Sequence, residues 1–186
     1  MPGSGGFLRA LREAAEVLAL TVAAALALRT FVIDAVRVPS ASMANTILAG
    51  DFLLVDRLVY RVRAPHRGEV IVFAAPDAGG GVRYVKRIAG LPGDTLRMRQ
   101  GVLSVDGREV LLPPTAKVQG GLPPDFGPVG VPAGTCFVLG DNLEESLDSR
   151  AWGFVPMPSV TGRAMMVYWS ISPGGIRWNR ILTIIR

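Results

Sequence analysis

Apolar and polar positions divide the chain into two textures that meet near Pro39. Before it, the apolar residues are contiguous. Val17 to Leu28 (VLALTVAAALAL) is an uncharged run of 12, preceded by Arg9, Arg12, Glu13 and Glu16. A helix of that length rises about 18 Å, less than the roughly 30 Å of a hydrocarbon core. Extended through Arg29 to Val36 the run reaches 20 residues. It then predicts one transmembrane helix over about 17–36, with Arg29 snorkelling to the headgroups and Asp34 at the interface. The basic start, the short apolar core and Ala25-Leu26-Ala27 also fit a cleaved secretory signal. The uncleaved anchor is the preferred reading, because the richest chemical motif follows closely and an anchor would hold it at the membrane surface. Arg9 and Arg12 favour a cytoplasmic N-terminus, although Arg29 and Arg37 on the other flank weaken that asymmetry.

After Pro39, short runs of Val, Ile, Phe and Leu alternate with Gly and Pro turns, which is the texture of β structure. Strands are predicted near 52–56, 70–73, 84–89, 95–98, 102–105, 136–139, 163–169 and 176–185. Val105-Asp106-Gly107-Arg108 carries an Asp-Gly pair that favours a tight hairpin. Leu111 to Pro132 holds six of the 14 prolines and four glycines and reads as a long irregular excursion. Gly79-Gly80-Gly81 reads as a loop tip and follows no phosphate-loop pattern. The predicted class is mainly β, with a core built by strand pairing.

Composition narrows the function. The net charge of +5 comes from scattered basic residues, without a like-charge run or a nucleic-acid motif, so no nucleic-acid partner is expected. Weak attraction to anionic lipid is the better use of this charge. The single cysteine, Cys136, lies in an apolar strand pattern and excludes a disulfide framework or a multi-Cys metal site. No metal and no organic cofactor are expected. The single histidine, His66, sits in a turn-like Ala-Pro-His-Arg-Gly segment, which makes a Ser-His-Asp triad a poor reading. Among 20 basic residues only Lys86 and Lys117 are lysines. An arginine cannot give up its proton in a protein, whereas a desolvated lysine can. Lys117 falls in the Pro- and Gly-rich excursion, so Lys86 is the better candidate base.

Three segments can carry chemistry. In Pro39-Ser40-Ala41-Ser42-Met43, the serines are two apart and face the same side of an extended chain, although serine-rich turns more commonly bend or cap it. In Tyr84-Val85-Lys86-Arg87-Ile88, alternation puts Lys86 inward with Tyr84 and Ile88, where burial lowers an amine's pKa; an edge-strand lysine that blunts aggregation is the commoner case. Gly140 to Gly153 is dense in polar groups, with Asp148 and Arg150 able to pair and pin a loop.

Taken together and in this order, the segments resemble the type I signal peptidase family, over nearly everything from Leu28 to Arg186. PSASM with a following GD resembles the nucleophile box, RGEVIVF (67–73) the next strand box, YVKRIAGLPGD the lysine box, and GDNLEESLDSRAWGFVP the last signature. The resemblance implies a signal-peptidase/LexA-like antiparallel β fold, with residues 1–37 as cytoplasmic tail and anchor and 38–186 as an extracytoplasmic peptidase domain. It implies Ser42 as nucleophile and Lys86 as general base, with the oxyanion held by the Ser42 amide and the Ser40 hydroxyl. Ser146 matches the serine that orients the lysine, and Asp148 with Arg150 a supporting ion pair. Val36, Val38, Ile47 and Val85 match positions lining pockets for small residues at −1 and −3. The implied partners are secreted preproteins and the lipid bilayer, and the implied place is the cell membrane, with a single pass. Three departures stand out: Asn45 replaces a usual proline, Glu69 a common aspartate, and Leu143-Glu144-Glu145 a typical Arg-Asp-Asn run, adding negative charge near the lysine. A specialised precursor processor and an inactive signal-peptide-binding scaffold remain the rival readings.

Overall fold

The computed structural model describes residues 4–31, 33–75, 81–111 and 124–186. Helix α1 (Ser4–Phe31) is followed by strands β1 (Ile33–Arg37) and β2 (Asp51–Asp56), the one-turn α2 (Val59–Val62), β3 (Val70–Ala74) and β4 (Arg83–Gly90). Next come β5 (Thr95–Arg99), β6 (Val102–Val105), β7 (Arg108–Glu109), β8 (Phe126–Gly130) and β9 (Thr135–Leu139). The chain closes with α3 (Ser149–Trp152), β10 (Val155–Pro156), β11 (Val160–Ser172), β12 (Gly175–Ile176) and β13 (Thr183–Ile184). The larger sheet runs β1-β2-β11-β3-β4-β9-β10, with β12 and β13 also on β11; the smaller runs β7-β6-β5-β8. Every pairing is antiparallel. The fold is mainly β.

The local chemistry accounts for these elements. β2 alternates buried and half-buried positions, as a strand covered on one face should. β4 does not alternate: Val85 to Gly90 are all buried, because both of its faces are covered. At the β6–β7 turn Asp106 and Gly107 have φ of 52° and 76°, the pair of left-handed residues that a tight hairpin requires. One apolar cluster, with Met43, Ile47, Leu53 and Val167, lies beneath the larger sheet, and a second, with Leu96, Met98 and Phe137, joins the two sheets.

Three sequence expectations change. The predicted span over 17–36 is not one helix, since α1 ends at Phe31 and residues 33–37 are β1, paired with β2 from Ile33↔Asp56 to Arg37↔Phe52. Among the described residues no helix is long and apolar enough to cross a membrane. The reason is visible in α1, whose first half carries the exposed pairs Arg9–Glu13 and Arg12–Glu16, leaving a short apolar remainder. Part of the predicted irregular excursion, Phe126–Gly130, is strand β8 and pairs with β5. The predicted strand over 176–185 breaks into β12, a 3₁₀ turn (Trp178–Arg180) and β13. That turn serves an ion-pair network: Asp51, fully buried, accepts from Arg180 at 2.6 Å, from Ser170 at 2.6 Å and from Arg177 at 3.4 Å. Lys117, Gly79 and Gly80 lie outside the described residues.

Candidate active site

Ser42 follows β1 at the start of a compact turn in which Ala44 N donates to Ala41 O and Ile47 N to Met43 O, both at 2.8 Å. Asn45 within it has φ of 87°. Proline is locked near −65°, so the residue usual in the family cannot occupy this backbone, whereas asparagine is among the side chains that tolerate it. Lys86 projects from the middle of β4. Its Nζ donates to Ser42 Oγ at 2.6 Å, and Ser42 Oγ lies 3.3 Å from Ser40 Oγ. Lys86 is 4% exposed and Ser42 8%, and the Lys86 ammonium stands 5.9 Å from the centre of the Tyr84 ring.

Burial pushes the Lys86 amine down from 10.5 to about 8, with Asp148 pulling it up, Arg150 pushing it down and Asp141 pulling it up. The acidic groups opposing neutralisation are therefore Asp148 and Asp141. Glu145, whose charge the sequence places near the lysine, lines a cleft together with Ser42 and Lys86 and accepts a 3.3 Å hydrogen bond from Asn142.

The loop from Gly140 packs behind Ser42. Asn142 N donates to Ser42 O at 3.1 Å, and a Cβ on Gly140 would lie 2.4 Å from Ser42 O and 2.2 Å from Ser146 Oγ, so only glycine allows the loop this close. Asp148 is fully buried and binds Arg150 through both oxygens, at 2.8 and 2.9 Å. It also accepts from Gly140 N at 3.0 Å, while Arg150 donates to Leu143 O at 2.7 Å. The pair thus ties both ends of the loop, which goes beyond the surface pairing that sequence alone allows. Ser146 Oγ is buried beside Gly140 without a hydrogen-bond partner, so no bond links it to Lys86. Sequence reasoning missed Arg87 and Asp141. Arg87 is fully buried, pairs with Asp141 at 2.6 and 2.7 Å, and reaches Gly68 O and Arg186 O. A buried arginine beside the lysine has no signature in hydrophobic patterning.

Ser42 and Lys86 line a cleft of about 270 Å³ between Arg37–Met43 and Val82–Lys86, with Glu145 and Leu147 also lining it. Val38 and Val85 line it; Val36 and Ile47 do not, but are buried in the same apolar cluster. Cys136 is buried in β9, which pushes its thiol up to about 12, and His66 is exposed beside Arg63 and Glu69.

The family model described as "Signal peptidase, peptidase S26" matches residues 11–169. The chain belongs to that family. Its relatives include the probable signal peptidase I-2 of Synechocystis, 37% identical over 88% of this chain and 76% of the relative. The signal peptidase I of Leptolyngbya laminosa is 36% identical over 87% and 81%, and that of Bacillus licheniformis 34% over 86% and 89%. A crystal structure of a signal peptidase I from Enterococcus faecalis aligns with a TM-score of 0.47 at 33% identity, covering 54% of this chain and 97% of that one. This S26 chain is a peptidase, and Glu69, one of the three departures, accepts from Arg63, Tyr60 and the His66 amide.

Proposed function

We propose that the protein removes signal peptides from exported preproteins by acyl transfer through Ser42 and Lys86. The observation that carries this reading is the 2.6 Å contact between a serine hydroxyl and a lysine amine taken out of water. With its pKa lowered to about 8, the amine is neutral in about a tenth of molecules at pH 7 and in half near pH 8. Neutral Lys86 takes the Ser42 proton as Oγ attacks the carbonyl of the −1 residue. The Ser42 amide and Ser40 hydroxyl stabilise the developing oxyanion, a contribution commonly worth about 10²–10³ in rate per donor. Lys86 then protonates the leaving amine, and water clears the acyl-enzyme. Asp148 with Arg150 acts by holding the loop that backs Ser42, and Ser146 packs beside it.

Substrate binding as an added strand is favoured by two open strand edges. Among the described residues β1 pairs only with β2, and β4 pairs with β9 only from Arg87 to Gly90, so Arg83 to Lys86 have a described strand on one side alone. An extended peptide between them gains main-chain bonds, while Val38 and Val85 face its −1 and −3 side chains, with Val36 and Ile47 backing the pockets. Membrane attachment through α1 is supported by its exposed apolar residues, among them Phe7, Leu11, Leu18 and Leu20. Lipid would cover a surface that is costly in water. Cleavage of a model preprotein by detergent-solubilised protein tests the dyad: Ser42→Ala and Lys86→Arg should each abolish it. Appreciable turnover by either contradicts the mechanism.

A further inference from the structure

β1 and β4 are not neighbours in the sheet, since β2, β11 and β3 lie between them. Yet the carboxylate of Asp34 on β1 binds the guanidinium of Arg83 on β4, so the sheet curls until these strands face each other across the cleft. Both strands run toward the dyad, β1 into Ser42 and β4 into Lys86, so the ion pair crosses the cleft at the end away from the reacting atoms. Two strands that flank a third are separated by about 9.5 Å. A short aspartate and a long arginine together can reach over such a gap. Strand alternation sets Arg83 on the face of Val85, and Asp34 on the face of Val36. The ion pair therefore lies on the face that meets the −1 and −3 side chains. Counting on by the same period of two, the next side chain on that face is −5.

We propose that Asp34 and Arg83 form a specificity-determining clasp that closes the cleft at the level of the −5 residue and selects against a large apolar side chain there. This rests on the reading that the peptide adds as a strand beside Ser42 and Lys86. The physical reason is desolvation. The Arg83 and Asp34 side chains are 41% and 27% exposed, so water still solvates the pair. A leucine at −5 would displace that water and return no hydrogen bond, whereas a glutamine would supply one.

The test uses the full chain in detergent and two preprotein substrates that differ only in Leu or Gln at −5. The wild type should cleave the Gln substrate with kcat/KM about three- to fivefold higher, the lower end of the cost of covering a polar group without a hydrogen bond. The uncharged double variant Asp34→Ala/Arg83→Met should bring that ratio to about one, and the charge-reversed Asp34→Arg/Arg83→Asp should restore it. A ratio that is the same in the wild type and the uncharged variant overturns the clasp. So does equal cleavage of both substrates by the wild type. A pair that merely staples β1 in place would change both substrates alike and leave the ratio unmoved. Cleavage of neither substrate by the wild type would contradict the peptidase reading itself, which separates the two failures.

Discussion

Lys86 is the residue at which fold and chemistry conflict most directly. Its amine is held at about 8 by burial, against an ordinary 10.5. Below pH 8 the folded protein therefore keeps a charged ammonium where water is scarce. The sign follows from proton binding: between about 8 and 10.5 the unfolded chain holds more protons than the folded one, so stability rises with pH across that window. Lys86→Met removes the charge while keeping an unbranched side chain. It should raise stability at pH 7 by about 1–3 kcal/mol, with the gain fading toward pH 10.5, while activity is lost. Denaturant midpoints at pH 7 and pH 10 measure this, and a variant less stable than the wild type at pH 7 would contradict it.

Among the elements, the turn after Ser42 carries one of the departures from the family pattern. Asn45 at φ 87° makes a left-handed position where proline is forbidden. Asn45→Gly should be neutral within about 1 kcal/mol, whereas Asn45→Pro should destabilise by more than that and slow acylation of Ser42. Thermal unfolding and labelling by a serine-directed acylating probe would check both, and a stable, fully reactive Asn45→Pro protein would refute the turn geometry. The same segment shows what the sequence makes legible. The Pro39–Met43 box was readable as a pair of serines on one side, and β2, β3, β4, β6 and β9 follow directly from apolar runs between turn residues. β1 was hidden because its residues continue the apolar texture of α1. β8 is hidden because proline and glycine mask a strand held by its pairing with β5 and by Phe126 and Val129 packing on the second apolar cluster. The contacts of Asp141 with Arg87, and of Asp51 with Arg180, join residues 54 and 129 apart, and no local pattern announces them.

The whole molecule is what makes the buried contact between Lys86 and Ser42 possible. Lys86 leaves water only because β4 is covered on both faces, the 140–150 loop closes behind Ser42, and Asp148 with Arg150 holds that loop shut. The family motifs name Ser42 and Lys86 but cannot convey that burial, which needs every layer in place. The chain offers a direct way to observe it, because it contains only two lysines, Lys86 and Lys117. Labelling lysine Cε with carbon-13 gives two resonances, and Lys117→Arg assigns them. Followed by NMR from pH 6 to pH 12, the Lys86 signal should titrate near 8, and move to about 10.4 when the protein is unfolded. Titration of Lys86 near 10.4 in the folded protein would mean that the amine keeps its proton beside Ser42, and would contradict the account.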